Sequence, residues 1–304
     1  LVAYSIHPNL SRRQVLAALT LSIVTAAFSV AVNAQQPTES AGYLSVGDAR
    51  IHYRTVGQGQ PVLLVHGFGL TGQIWDPFVQ SLASRYQLII PDKRGHGLST
   101  NPSKVFRYND VAHDLSALLK ELNLHDVRAL GWSSGAMAIL ELAYVDGERL
   151  EAIVLAAGTH RFSDEAREIL SSIDADEVID DSNYWQTVLS WHPGGMDQMR
   201  ELMRQLNQLA RDPDEGHRAA DDFRSVSIPT LIVQGDRDEL NPMYVTEELH
   251  KALPNSEVWV IPGVGHEIVF VYLLDPSFMP CSACVEAGGI FFDVIEQFFK
   301  RAKR

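Results

Sequence analysis

A serine flanked by glycines, two neighbouring aspartates and a late histidine are the residues of this chain best suited to covalent chemistry. Ser133 sits in Gly131-Trp132-Ser133-Ser134-Gly135. A serine hydroxyl is a weak nucleophile at neutral pH and needs a base that takes its proton during attack. His266, closing Gly263-Val264-Gly265-His266, is the candidate base. Asp236 and Asp238, in Gly235-Asp236-Arg237-Asp238, compete as the acid that would hold the imidazole in its useful tautomer. The chemistry implied is acyl transfer through a covalent serine intermediate. It needs no metal and no organic cofactor.

These residues are far apart in the chain, so regular elements must bring them together. Residues 127–130 read as a short buried strand and residues 136–144 as a helix, with the serine pentapeptide where one becomes the other. A nucleophile on so tight a bend adopts a strained backbone, and the positions two before and two after it must be small. Gly131 and Gly135 meet that demand. Residues 61–65, 230–233 and 258–261 are further apolar, strand-like runs. They end in His66-Gly67-Phe68-Gly69, in the aspartate pair and in the loop of His266 respectively. In an open α/β sheet, sites form at the carboxyl ends of parallel strands, so serine, acid and histidine would converge there in that chain order.

With these motifs in place, the chain resembles the α/β-hydrolase superfamily. Asp92-Lys93-Arg94-Gly95-His96-Gly97-Leu98-Ser99, after the strand at 88–90, matches another loop common in it. The resemblance rests on five ordered motifs and covers most of residues 42–304. It implies a doubly wound, mostly parallel sheet with a small helical cap inserted after a central strand. It favours Asp238 over Asp236, because the family's acid usually lies three residues after the glycine ending that strand. The backbone N–H groups of Phe68 and Ser134 would then form the oxyanion hole, and Trp132 would line the substrate pocket or pack under the cap. The usual glycine after the second glycine of the bend is Ala136 here.

Between residues 159 and 227 the strand–helix alternation breaks. Residues 165–173, 184–190 and 198–211 look helical, as expected of a cap that shapes specificity. Elsewhere, residues 43–46 and 49–56 alternate around Gly47-Asp48 as an antiparallel hairpin. Residues 109–124 carry an amphipathic helical stripe, a helix opens at Pro242 and runs to about Leu253, and Phe291, Val294, Ile295 and Phe298 mark the last helix. His66, His96 and His160 read as loop-stabilising residues, and Trp185, Trp191 and His192 as the core of the cap. Glu267 reads as an ordinary polar residue.

The 304 residues are 46% apolar, enough for one sizeable core, and the net charge of -13 argues against nucleic acid as a partner. Residues 1–34 differ in kind. Ser11-Arg12-Arg13, a moderately apolar stretch and Val32-Asn33-Ala34 read as a twin-arginine export signal cleaved before Gln35. The hydrolase domain would then span 35–304 and act in the periplasm or outside the cell, without a stable membrane anchor. The alternative is an uncleaved anchor. In an oxidising compartment Cys281 and Cys284 read as a local disulfide. Nothing nearby resembles a thioredoxin unit, and zinc would need two further ligands.

The expected activity is hydrolysis of small-molecule carboxylic esters or lactones. Carbon–carbon bond hydrolysis, perhydrolysis and thioester hydrolysis use the same triad, and a slow-turnover binding protein on this scaffold is a further alternative. The segment from Val271 to Gly289 is longer than the family pattern, and Phe270, Tyr272 and Phe278 read as a pocket wall or a partner surface.

Overall fold

The computed structural model describes residues 37–212, 218–266 and 282–302, with the side chains of the last stretch from residue 290. The expected leader, Glu267, the aromatic residues at 270, 272 and 278 and the two cysteine side chains lie outside the described residues. Eight strands form one sheet in the order β1-β2-β4-β3-β5-β6-β7-β8. β1 (Glu39–Val46) and β2 (Ala49–Val56) make the expected hairpin, turning at Gly47 with φ 59°. β2 runs antiparallel to β4 (Tyr86–Pro91), and every later pairing is parallel.

Burial explains the composition of the strands. β3 (Gln60–Val65), β5 (Val127–Trp132), β6 (Leu150–Ala156) and β7 (Thr230–Gly235) are covered on both faces, so they read as nearly continuous apolar runs. β8 (Ser256–Ile261) lies at the sheet edge and stays partly exposed. α1 (Asp76–Ala83) has no counterpart in the sequence reading; Pro77 in its first turn is its clearest sequence signal. α2 (Tyr108–Glu121) buries Val111, Leu115, Leu118 and Leu119 as expected, but it stops three residues before Leu124. Asn123 takes a left-handed φ of 50°, which an α-helix cannot continue through. α3 (Ser134–Asp146) is buried almost all round, as a helix packed at the centre of the sheet must be.

Among the described residues, four α-helices lie between β6 and β7, α4 (Asp164–Leu170), α5 (Ala175–Val178), α6 (Asn183–Ser190) and α7 (Gly195–Arg211), followed by a 3-10 turn at Ala220–Ser225. α4 ends at Leu170 rather than continuing to Ile173: the Ser172 amide turns to the Ile169 carbonyl at 3.2 Å, an i−3 bond that tightens the last turn, and the Ser172 hydroxyl donates to the same oxygen at 2.9 Å. α7 is strongly amphipathic. It buries Met199, Leu202, Met203, Leu206 and Leu209 along one face. α8 (Met243–Ala252) follows β7, and α9 (Ser282–Arg301) closes the described chain. Among the described residues, no helix is long and apolar enough to cross a membrane.

Candidate active site

Ser133 lies on the bend between β5 and α3 with φ 55° and ψ -122°, a conformation that L residues rarely adopt. The bend is closed by main-chain bonds: Ser133 N donates to the Ala156 carbonyl at 2.8 Å, and Ala136 N donates to the Ser133 carbonyl at 2.9 Å. A Cβ on Gly131 would sit 2.4 Å from the Gly135 carbonyl carbon, and one on Gly135 would sit 2.2 Å from the Val65 carbonyl oxygen. Only glycine fits at either place. The extra methyl of Ala136 is accommodated by Gly158, where a Cβ would meet the Ala136 Cβ at 2.6 Å.

The structure brings Ser133, His266 and Asp238 into one hydrogen-bonded chain. Ser133 Oγ is 2.8 Å from His266 Nε2, and His266 Nδ1 is 2.9 Å from Asp238 Oδ2 and 3.1 Å from Oδ1. Asp238 is 5% exposed overall. Burial alone would raise its carboxyl pKa. The imidazole charge and bond, with donors from Asn241 N and Gln234, outweigh that cost and hold it below the ordinary carboxylate value. Asp236 stands apart: its Oδ1 accepts the Gly263 amide at 2.6 Å, so it braces the loop that carries His266.

Three residues that sequence reasoning missed complete the surroundings of Asp238. Asn241 N and Leu240 N each donate to Asp238 Oδ1 at 2.9 Å, and Gln234 Nε2 donates to Oδ2 at 3.1 Å. The Asn241 side-chain amide donates to the Ala157 carbonyl at 2.9 Å, tying the acid's loop to the end of β6. The available signal was local: an aspartate followed two and three residues later by backbone donors, before Pro242, is a turn pattern.

Phe68 and Ser134, expected to supply main-chain donors, both line the cavity beside Ser133. Ser134 is the first residue of α3, so its amide has no acceptor within the helix. Among the described residues, the Phe68 amide likewise has no main-chain acceptor. Trp132 is buried, donates from Nε1 to the His266 carbonyl at 3.2 Å and lines the outer part of the cavity. The cavity has two lobes that meet at Ser133 and His266. The inner one is about 50 Å³ and reaches Tyr108 and Met137; the outer one is about 340 Å³ and reaches Trp185 and Met203. Leu170 and Leu206, from the helices between β6 and β7, border both lobes. Among the described residues, no Asp, Glu, Lys or Arg lines either lobe.

His66, His96, His160 and His192 line neither lobe. His66 Nδ1 bonds the Gly67 carbonyl at 2.7 Å while its Nε2 accepts the Lys93 amide at 2.9 Å. Burial lowers the pKa of His66, His96 and His192, and brings that of His160 down to about 4. Among the described residues, no group of three His, Cys, Asp or Glu side chains is placed to hold a metal ion.

A model of the alpha/beta hydrolase family matches residues 62–278. The chain belongs to that family. A non-heme chloroperoxidase from Kitasatospora aureofaciens is 28% identical over 247 residues, covering 73% of this chain and 90% of its own. A pimeloyl-[acyl-carrier protein] methyl ester esterase from Aeromonas hydrophila is 27% identical over 231 residues, covering 69% of this chain and 89% of its own. The enol-lactonase of Burkholderia xenovorans LB400 superposes with a TM-score of 0.65 at 16% identity, over 86% of this chain and 100% of its own. At that identity the lactonase speaks for the fold alone. The family makes this alpha/beta hydrolase a hydrolase-type enzyme.

Proposed function

We propose that the protein is a serine hydrolase that cleaves small to medium carboxylic esters or lactones through an acyl-enzyme. The observation that carries the reading is the 2.8 Å approach of His266 Nε2 to Ser133 Oγ, with Nδ1 engaged by Asp238. With its Nδ1–H donating a hydrogen bond to the Asp238 carboxylate, the imidazole presents a basic Nε2 to the hydroxyl. Ser133 Oγ bonds to the ester carbonyl carbon as its proton passes to Nε2. The carbonyl oxygen becomes an oxyanion facing the amides of Phe68 and Ser134. Collapse breaks the bond to the alcohol oxygen, which leaves with the proton from His266. Water then repeats the sequence on the acyl-enzyme, releasing the acid and restoring Ser133.

Several features support a neutral, compact substrate. The lobes lack charged side chains among the described residues, and the outer one falls at the small end of ligand cavities. A relative named as a methyl ester esterase agrees with carboxylic ester cleavage. The similarity to a non-heme chloroperoxidase makes peroxide-dependent halogenation the first alternative to assay. Export through the leader at 1–34 belongs to this proposal, supported by Arg12-Arg13 and by small residues at Val32-Asn33-Ala34.

The decisive experiment compares wild type with Ser133→Ala on p-nitrophenyl acetate and butyrate, with halogenation assayed alongside. Loss of turnover by about 10⁶-fold is expected if the three residues act as a unit. Near-normal ester hydrolysis by the variant would end the reading.

A further inference from the structure

Lys93 is a buried amine that the proposed steps do not use. It is 2% exposed and follows β4 in the loop braced by Asp92. Its Nζ donates to the Ser134 hydroxyl, and it lies 5.8 Å from the ring centres of both Phe68 and Phe106. No carboxylate lies within ion-pair distance of it among the described residues. Such a site is unfavourable for an ammonium, since desolvation is repaid only by one hydroxyl acceptor and two ring faces. Burial accordingly lowers its pKa well below the ordinary lysine value. An apolar side chain would fill the same space at lower cost, so stability does not account for the lysine.

Its connections do. Through its own amide, Lys93 donates to His66 Nε2, on the turn two residues before Phe68. Through Nζ it holds Ser134, the first residue of α3. The Phe68 ring is fixed by edge contacts to His96 at 4.8 Å and Phe106 at 5.0 Å. One residue therefore links the two separate backbone segments that would have to aim at a single oxygen. Lys93 lines neither lobe, so substrate does not reach it.

We propose that Lys93 is a positioning residue for the oxyanion hole. Its side chain fixes the Ser134 turn relative to Phe68, the two segments whose main-chain donors face a developing negative oxygen. The role rests on the serine hydrolase reading. It predicts a contribution to the transition state and little to ground-state binding.

The test measures kcat, KM, thermal midpoint and inhibition by a trifluoromethyl ketone for wild type, Lys93→Met, Ser134→Ala and the double variant. The ketone forms a tetrahedral oxyanion on the nucleophile. Lys93→Met should lower kcat about 10-fold or more, hold KM within about 2-fold and weaken the ketone by the same factor as kcat/KM. Its thermal midpoint should stay or rise, because a desolvated, poorly partnered polar group has gone. Ser134→Ala keeps the backbone donor but removes the Lys93 anchor, so it should show the same split, and the double variant should be no slower than the slower single. Full kcat in Lys93→Met overturns the proposal, as does a fall in kcat matched by a fall in thermal midpoint and no selective loss of ketone affinity. If Lys93→Met does not fold, the kcat and ketone results for Ser134→Ala decide. A wild type without Ser133-dependent ester cleavage sinks the underlying reading instead.

Discussion

Asn241 is joined to Asp238 by main chain and side chain together: its backbone amide donates to Oδ1 at 2.9 Å, and its side-chain amide lies 3.5 Å from Oδ2. The same side-chain nitrogen is 3.3 Å from His266 Nδ1, but it makes its better bond to the Ala157 carbonyl at 2.9 Å. That division follows from protonation. When Nδ1 carries the hydrogen given to Asp238, it cannot accept one from Asn241.

Asn241→Ala should therefore loosen the acid without removing it. The backbone donor remains, while the tie to β6 is lost and the Ala157 carbonyl loses its donor. We expect kcat/KM to fall about 10-fold, in line with one lost buried hydrogen bond that orients a reacting group. Steady-state kinetics on a p-nitrophenyl ester would check this. A variant with wild-type kinetics would show that the backbone amides of residues 240 and 241 suffice.

Asp238 and Asp236 differ by two positions and should differ widely in consequence. Asp238→Asn preserves volume but presents an amide to Nδ1 and disfavours the productive tautomer, so kcat should fall about 10⁴-fold. Asp236→Asn leaves the imidazole's partner intact and weakens only the bond from the Gly263 amide. Its kcat should remain within a few-fold of wild type, with a loss of about 1 kcal/mol in stability. Equal losses of activity in the two variants would refute the assignment of the acid.

How much of this was legible in sequence depends on how local the cause was. The bend at Ser133 declared itself because contacts of 2.4 Å and 2.2 Å admit no side chain at residues 131 and 135. The central strands were legible because burial on both faces demands unbroken apolar runs. Asn241 and Lys93 were not, since their meaning arises from partners far along the chain: Ala157 and His266 for one, Ser134 and His66 for the other. Helix ends failed for a related reason. The stripe on α2 continues to Leu122 and Leu124, but the left-handed turn at Asn123 ends the helix first.

Acid should destabilise the fold before it approaches the carboxylate range. His66, His96, His160 and His192 have folded pKa values depressed by burial, with His160 near 4 against an ordinary 6.5. As pH falls below about 6.5, the unfolded chain takes up protons that the folded chain refuses, so stability falls with decreasing pH. Each such group contributes a slope of up to about 1.4 kcal/mol per pH unit within its window. Asp238, whose folded pKa is lowered, acts in the same direction nearer pH 4, whereas Asp114 and Glu141, raised by burial, act against it there. Urea midpoints measured from pH 7.5 to 4.5 should decline, and His160→Gln should flatten the part of the slope between about 6.5 and 4. A wild-type midpoint independent of pH over that range would contradict the buried neutral imidazoles.

Leu206 offers the most direct control of substrate size. It lies on the buried face of α7, is 6% exposed and borders both lobes of the cavity. Leu206→Ala should open the inner lobe of about 50 Å³ toward the outer one, admitting longer groups beside Ser133. The ratio of kcat/KM for a hexanoyl over an acetyl p-nitrophenyl ester should rise about 10-fold, since methylenes in an apolar pocket are each worth roughly 1–3 kcal/mol. Leu206→Phe should move the ratio the other way. Truncation should also cost about 2–3 kcal/mol of stability, so the comparison is read from the ratio and not from absolute rates. A ratio that both substitutions leave unchanged would remove α7 from the determinants of specificity and move them to the sheet side of the cavity, where Tyr108 and Met137 stand.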